Sequence, residues 1–136
     1  MVNIYKFSQI LLCHIIKSYK GEKMKTYAQA IDLVNDPKII KKYDEYHQNV
    51  WPEDLKAMKN HGILRMKIWR VSNRLFMLME TSDDYDPSTY NEYTDNDPKS
   101  KEWDDIMRKM QQRIPGTEQS SDWWAPMDLV FDSEWD

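Results

Sequence analysis

Polar and apolar positions alternate imperfectly along Thr26-Tyr27-Ala28-Gln29-Ala30-Ile31-Asp32-Leu33, the period of a half-buried strand. Asn35-Asp36-Pro37 follows as a helix start, with Asp36 as N-cap and Pro37 at the first helical position. The apolar spacing then changes to three and four, through Ile39, Ile40, Tyr43, Tyr46, His47 and Val50. Pro52 ends or kinks that helix and opens a second helical segment. Glu53 and Asp54 suit its N-terminus through the helix dipole, Leu55, Ala57 and Met58 give it an apolar side, and Gly62 is the expected C-cap.

Two strand-like runs come next. Residues 63–71 alternate, with Leu64, Met66 and Ile68 on one side and Arg65, Lys67 and Trp69 on the other. Residues 75–80 are nearly all apolar, and Ser72-Asn73 between the runs is a compact turn, so the pair reads as a hairpin. Residues 82–98 are polar and rich in Asp and Tyr, and predict a long loop with one helical turn. Asp97-Pro98 repeats the helix-start signal. Trp103, Ile106, Met107, Met110 and Ile114 then trace an amphipathic helix that Pro115-Gly116 stops. Residues 116–122 are a polar loop, and the alternation over 127–132 predicts a last strand. The order β-α-β-β-α-β is that of a ferredoxin-like α+β sandwich. Both helices would cover one face of a four-stranded sheet. The other face, bare in a monomer, predicts a homodimer formed sheet to sheet.

The bulk properties narrow the classes of function. A chain of 136 residues is one domain by length, assigned to residues 24–136, with residues 1–23 as an N-terminal extension. Ile10 to Ile16 is apolar but short and interrupted by His14, without a small-residue cleavage site, so no secretory signal is expected. The net charge of −4 argues against a nucleic-acid partner, which needs a basic footprint. No apolar run approaches the roughly 18 residues of a membrane span. The single Cys13 excludes an internal disulfide and most cysteine-based metal sites, and with the missing signal it points to the cytoplasm. The nine methionines fall mainly on core-like positions, where gap-filling explains them better than a soft metal site. The acidic groups at 83–86 and 95–97 lack the glycine and terminal glutamate of a calcium loop and read as solvated.

Candidate chemistry gathers around the Trp51-Pro52 junction. Tyr43, His47 and Trp51 are spaced four apart, so on a continuous helix a phenol, an imidazole and an indole share one face. Such groups hold a small polyhydroxylated ring and move protons on it. The bland alternatives stand beside this reading. A lone helix histidine is usually structural, Tyr43 and Trp103 sit on apolar stripes that core packing also explains, and Trp51 could simply fix the helix junction.

The run Tyr43-x3-His47-x3-Trp51-Pro52-Glu53 resembles the motif near the first helix of the L-rhamnose mutarotase family, whose relatives include proteins linked to fucose. The resemblance continues through Gly62, Arg74 to Glu80, Trp103-x3-Met107, Trp124 and Val130-Phe131, and covers about residues 25–132. It implies a dimeric α/β-barrel of two ferredoxin-like subunits. It implies an enzyme that interconverts the α and β anomers of a free 6-deoxyhexose, L-rhamnose or L-fucose, without cofactor or metal. It assigns His47 as proton donor and Tyr43 and Trp103 as sugar-binding groups, with Trp51 and Met66 beside them. The chain departs from rhamnose-active members where Met66 replaces a strand tyrosine and Trp103-Asp104 replaces paired tryptophans. Tyr85, Tyr90, Tyr93, Trp123 or Trp124 could refill the aromatic lining. The proton taken from the anomeric hydroxyl would go to a carboxylate, a tyrosine oxygen or water. Two other classes of function remain open: a cofactor-free or haem-linked enzyme on the same barrel, and a non-catalytic sugar-binding module.

Overall fold

The structure is a computed structural model that describes residues 24–135. The N-terminal extension expected at 1–23 lies outside the described residues. Strand β1 (Lys25–Leu33) runs through the middle of an antiparallel sheet. Its last residues, Ile31 and Leu33, are fully buried on the face that the helices cover. Asp36 caps helix α1 (Pro37–Gln48) by accepting from the Lys38 amide at 2.8 Å. Asn49 ends α1, and the extended Trp51 precedes the proline that opens α2 (Pro52–Asn60). The Trp51-Pro52 break therefore splits the first crossover into two helices set at an angle rather than one long rod.

Gly62 stops α2 with φ at +92°, and a Cβ there would stand 2.7 Å from the Ser82 hydroxyl oxygen. The hairpin follows as β2 (Ile63–Val71) and β3 (Arg74–Thr81), turning at Ser72 and Asn73. Asn73 ties the turn back to β1, its side-chain amide donating to the Leu33 carbonyl at 2.9 Å. A bulge between Ile63 and Arg65 takes Leu64 out of register, so it is exposed instead of sharing the inward side with Met66 and Ile68. β1 pairs with β3 from Lys25↔Thr81 to Asp32↔Arg74, and the strand order is β2-β3-β1-β4.

The second crossover is more helical than its composition suggests. After a 3-10 turn at Pro87–Thr89, helix α3 (Tyr90–Asn96) is longer than the single helical turn expected within this loop. Asp86 caps the turn, and Tyr93 and Thr94 are buried, so local capping and tertiary packing override a polar sequence. Asp97 caps α4 (Pro98–Met110) by accepting from the Lys99 and Ser100 amides at 2.9 and 3.0 Å. α4 ends at Met110, one turn before the expected stop at Ile114. There the chain enters the sheet as β4 (Gln111–Gln112), which pairs with β1 at Leu33 and Asp32.

The last strand is also displaced. Its pairing is made by β5 (Ala125–Pro126) opposite Ala30 and Gln29, so the fourth strand is an edge interrupted by residues 113–124. Residues 127–132 form no strand. Met127 donates one backbone bond to Ala28 at 2.9 Å, after which Leu129, Val130 and Phe131 are 69%, 85% and 73% exposed. Their alternation fits a strand, but the pairing with β1 stops at Ala28, and Lys25 to Tyr27 form no strand pair with them. The topology is the ferredoxin-like sandwich, with its helices on one sheet face. On the other face Trp69 stacks on Phe76 at 5.4 Å, and Trp69 is half exposed. No helix among the described residues is long and apolar enough to cross a membrane.

Candidate active site

Between the helices and the sheet lies a cavity of about 340 Å³, near the lower end of the roughly 300–1,000 Å³ typical of small-molecule sites. α1 contributes Tyr43, Asp44 and His47 to its wall. α2 contributes Asp54, Leu55 and Met58, β2 contributes Met66, Ile68 and Arg70, and α4 contributes Trp103, Asp104 and Met107. The break at Trp51-Pro52 is what lets α1 and α2 line two sides of one cavity instead of following one line.

Tyr43, His47, Met66 and Trp103 thus reach the same space. Trp51 does not line it. Its ring meets Trp103 edge-on at 5.3 Å, so it supports the indole that does line the cavity. Of the aromatics considered for the lining, Tyr90, Tyr93 and Trp124 stand on the cavity wall. Tyr85 and Trp123 face a second, larger groove of about 810 Å³ between β1 and the C-terminal residues.

The geometry of His47 restricts what it can do. Its ring stacks on Tyr43 at 4.2 Å and meets Trp103 edge-on at 5.4 Å. Nδ1–H donates to the Tyr43 carbonyl oxygen at 3.0 Å. That bond fixes the tautomer, because a carbonyl can only accept, and leaves Nε2 as the exchangeable nitrogen. Burial lowers the pKa of the ring, opposed by the Tyr43 carbonyl and the Asp44 charge. The resting imidazole is therefore neutral near pH 7, with an unprotonated Nε2. Tyr43 is 3% exposed, and burial raises its phenol, with Gln111 pulling the other way, so it remains a neutral hydrogen-bonding group.

Three carboxylates line the cavity, and their partners differ. Arg70 grips Asp44 with two bonds of 2.6 and 3.0 Å, and Arg108 holds Asp104 at 2.8 Å. Asp54 is 4% exposed and forms no ion pair among the described residues, and its Oδ1 has no hydrogen-bond partner. Desolvation raises it to about 6, with Asp104 and Asp97 adding to the rise and Ser100 opposing it. From sequence Asp54 was legible only as a helix-dipole residue. Its burial follows from the angle of α2 against α4, which no local pattern encodes. No group of three or more His, Cys, Asp or Glu among the described residues is arranged to hold a metal.

Residues 26–133 match a family model described as L-rhamnose mutarotase. The chain is 47% identical over 114 residues to a UPF0734 protein of Dictyostelium discoideum, covering 82% of this chain and 91% of that one. It is 31% identical over 102 residues to an L-fucose mutarotase of Xanthomonas campestris pv. campestris, covering 74% and 82%. The crystal structure of an L-rhamnose mutarotase from Formosa agariphila superposes with a TM-score of 0.57 at 25% identity, covering 81% of this chain and 99% of that one.

Proposed function

The chain belongs to the L-rhamnose mutarotase family, and from that premise we propose how its cavity interconverts the anomers of a 6-deoxyhexose. The activity is a sugar mutarotation: the hemiacetal ring opens to the free aldehyde and recloses on the other face. The reaction needs one proton removed from the anomeric hydroxyl and one delivered to the ring oxygen. The barrier is already modest in water, so placed proton-transfer groups suffice.

The observation that carries the mechanism is the fixed tautomer of His47 inside an aromatic cavity. His47 is the catalytic group. Nε2 accepts the anomeric proton on opening and donates it back on closing, so the donor role that the family resemblance assigns belongs to the closing step. Tyr43 offers a phenol hydroxyl to the sugar. Trp103, braced by Trp51, faces the apolar side of the ring, and Met66 and Met107 receive the methyl group of the deoxysugar. L-Fucose is the preferred substrate over L-rhamnose, a choice supported by the similarity to the Xanthomonas protein.

The functional domain spans residues 24–136 and works as a cytoplasmic homodimer. Support for the dimer comes from the exposed Leu129, Val130 and Phe131 and from the Trp69–Phe76 stack on the uncovered sheet face. The single cysteine of the chain suits a reducing compartment. The test is saturation transfer between anomeric proton signals of each sugar with the purified protein. Faster exchange for L-fucose than for L-rhamnose is expected. Exchange at the buffer rate for both sugars would remove the proposal.

A further inference from the structure

We infer that Asp54 is the second proton-transfer group of the site, acting on the ring oxygen while His47 acts on the anomeric oxygen. The inference rests on the mutarotase reading above and extends it to a residue that its motif does not contain. Asp54 lies in the first turn of α2, on the far side of the Trp51-Pro52 break from His47, and both side chains line the same cavity. Asp54 Oδ1 is buried and makes no hydrogen bond among the described residues, beside a Ser100 Oγ that is equally unpartnered. Such atoms are rare and costly to retain in a folded protein, and a perturbed carboxyl on a cavity wall points to a functional site. The neighbouring carboxylates are ruled out as free bases or acids because Arg70 and Arg108 hold them.

The surroundings favour a proton on Asp54. α4 and its cap turn Ser100, Asp104 and Asp97 toward it, and α3 brings Tyr90 and Tyr93. His47, by contrast, faces Tyr43 and Asp44 of its own helix and Trp103 of α4. Burial disfavours the charged form of both groups, so the state with one proton to share is neutral imidazole and neutral carboxylic acid.

The step balances without an oxidant or co-reactant. His47 Nε2 takes the proton of the anomeric hydroxyl as that oxygen becomes the aldehyde carbonyl. The bond from the anomeric carbon to the ring oxygen breaks, its electron pair goes to the ring oxygen, and that oxygen takes the Asp54 proton. The aldehyde carbon then rotates about its bond to the next carbon. The freed hydroxyl adds to the opposite face and returns its proton to Asp54, while the imidazolium gives its proton to the carbonyl oxygen. The pair ends as it began, ready for another turnover.

The test measures L-fucose anomer exchange from about pH 5 to about pH 8 for the full chain and for Asp54→Asn. The unaltered protein should give a bell-shaped profile, and Asp54→Asn should lose roughly 100-fold in kcat and the high-pH limb, with KM nearly unchanged. The variant should melt at or above the temperature of the unaltered protein at high pH, which separates the loss from misfolding. In the unaltered protein, the carbon-13 carboxyl signal of Asp54 should titrate near neutrality and move on addition of L-fucose. An unchanged profile, a loss confined to KM, loss of the low-pH limb instead, or an Asp54 signal indifferent to sugar would overturn the inference. An active unaltered protein with an indifferent variant overturns it alone. An unaltered protein inactive on both sugars overturns the mutarotase reading beneath it.

Discussion

The two sides of the cavity are built from the same polypeptide turn and respond oppositely to the same force. On the α1 side, burial pushes His47 down and leaves a neutral base. On the α2 side, burial pushes Asp54 up to about 6 and leaves a carboxyl that can hold a proton near neutrality. Desolvation alone brings a base and an acid toward one pH, because it penalises whichever form is charged. Partners then separate Asp54 from the carboxylates that arginines hold. Asp44 and Asp104 have arginines at hydrogen-bonding distance, and Asp54 has none among the described residues. The proposed mechanism thus takes two proton-transfer groups from the two sides of one helix break.

The comparison breaks most visibly at His47. His47→Ala should lower kcat for anomer exchange by roughly 1,000-fold, read by saturation transfer. Loss of less than about tenfold would move the chemistry away from the α1 side.

The next effect is on stability and concerns the α2 side. Asp54 has its folded pKa raised above the ordinary 3.8 to about 6. Its protonated form is therefore favoured by the native state, and that advantage is full below the unfolded value and lost as pH rises through the folded one. Asp54→Asn should then stabilise the protein at pH 8 by roughly 1–3 kcal/mol and do little at pH 4, seen in denaturant melts at the two pH values. For His47 the sign is the reverse: with a lowered folded pKa, its neutral form stabilises the protein above the ordinary range and this is lost as pH falls through the folded value.

A backbone change behind the α2 side sharpens the comparison further. Gly62→Ala forces a side chain onto a left-handed φ of +92° and onto the Ser82 hydroxyl. It should cost about 1–2 kcal/mol in thermal or denaturant unfolding while leaving His47 untouched. The smallest effect belongs to the brace of the α1 side. Trp51→Leu removes the edge contact to Trp103 and should raise KM for L-fucose by roughly threefold to tenfold with kcat largely kept. A loss in kcat of the same size would give Trp51 a direct part in the reaction.

Much of this is legible in the sequence. Asp36-Pro37, Asp97-Pro98 and Gly62 announced the helix ends because caps and stops act within a few residues. The spacing of Tyr43 and His47 placed both on one helical face, and the cavity receives both. What was not readable depends on distant contacts. α3 forms because Tyr93 finds a core, although its sequence is polar. The strand expected at 127–132 does not form although Lys25 to Tyr27 of β1 lie on the same edge, and the pairing is confined to Ala125–Pro126. Trp51 had the right spacing, but Pro52 turned the chain and moved its ring behind Trp103. Asp54 was hidden because its meaning lies in the missing cation, which no local sequence shows.

The most direct measurement is a double-mutant cycle on anomer exchange with His47→Ala, Asp54→Asn and the double variant. Two groups that pass one substrate's protons as a unit predict a double variant little worse than the poorer single one. Losses that simply multiply would contradict a shared proton-transfer pair and leave the two sides of the cavity acting independently.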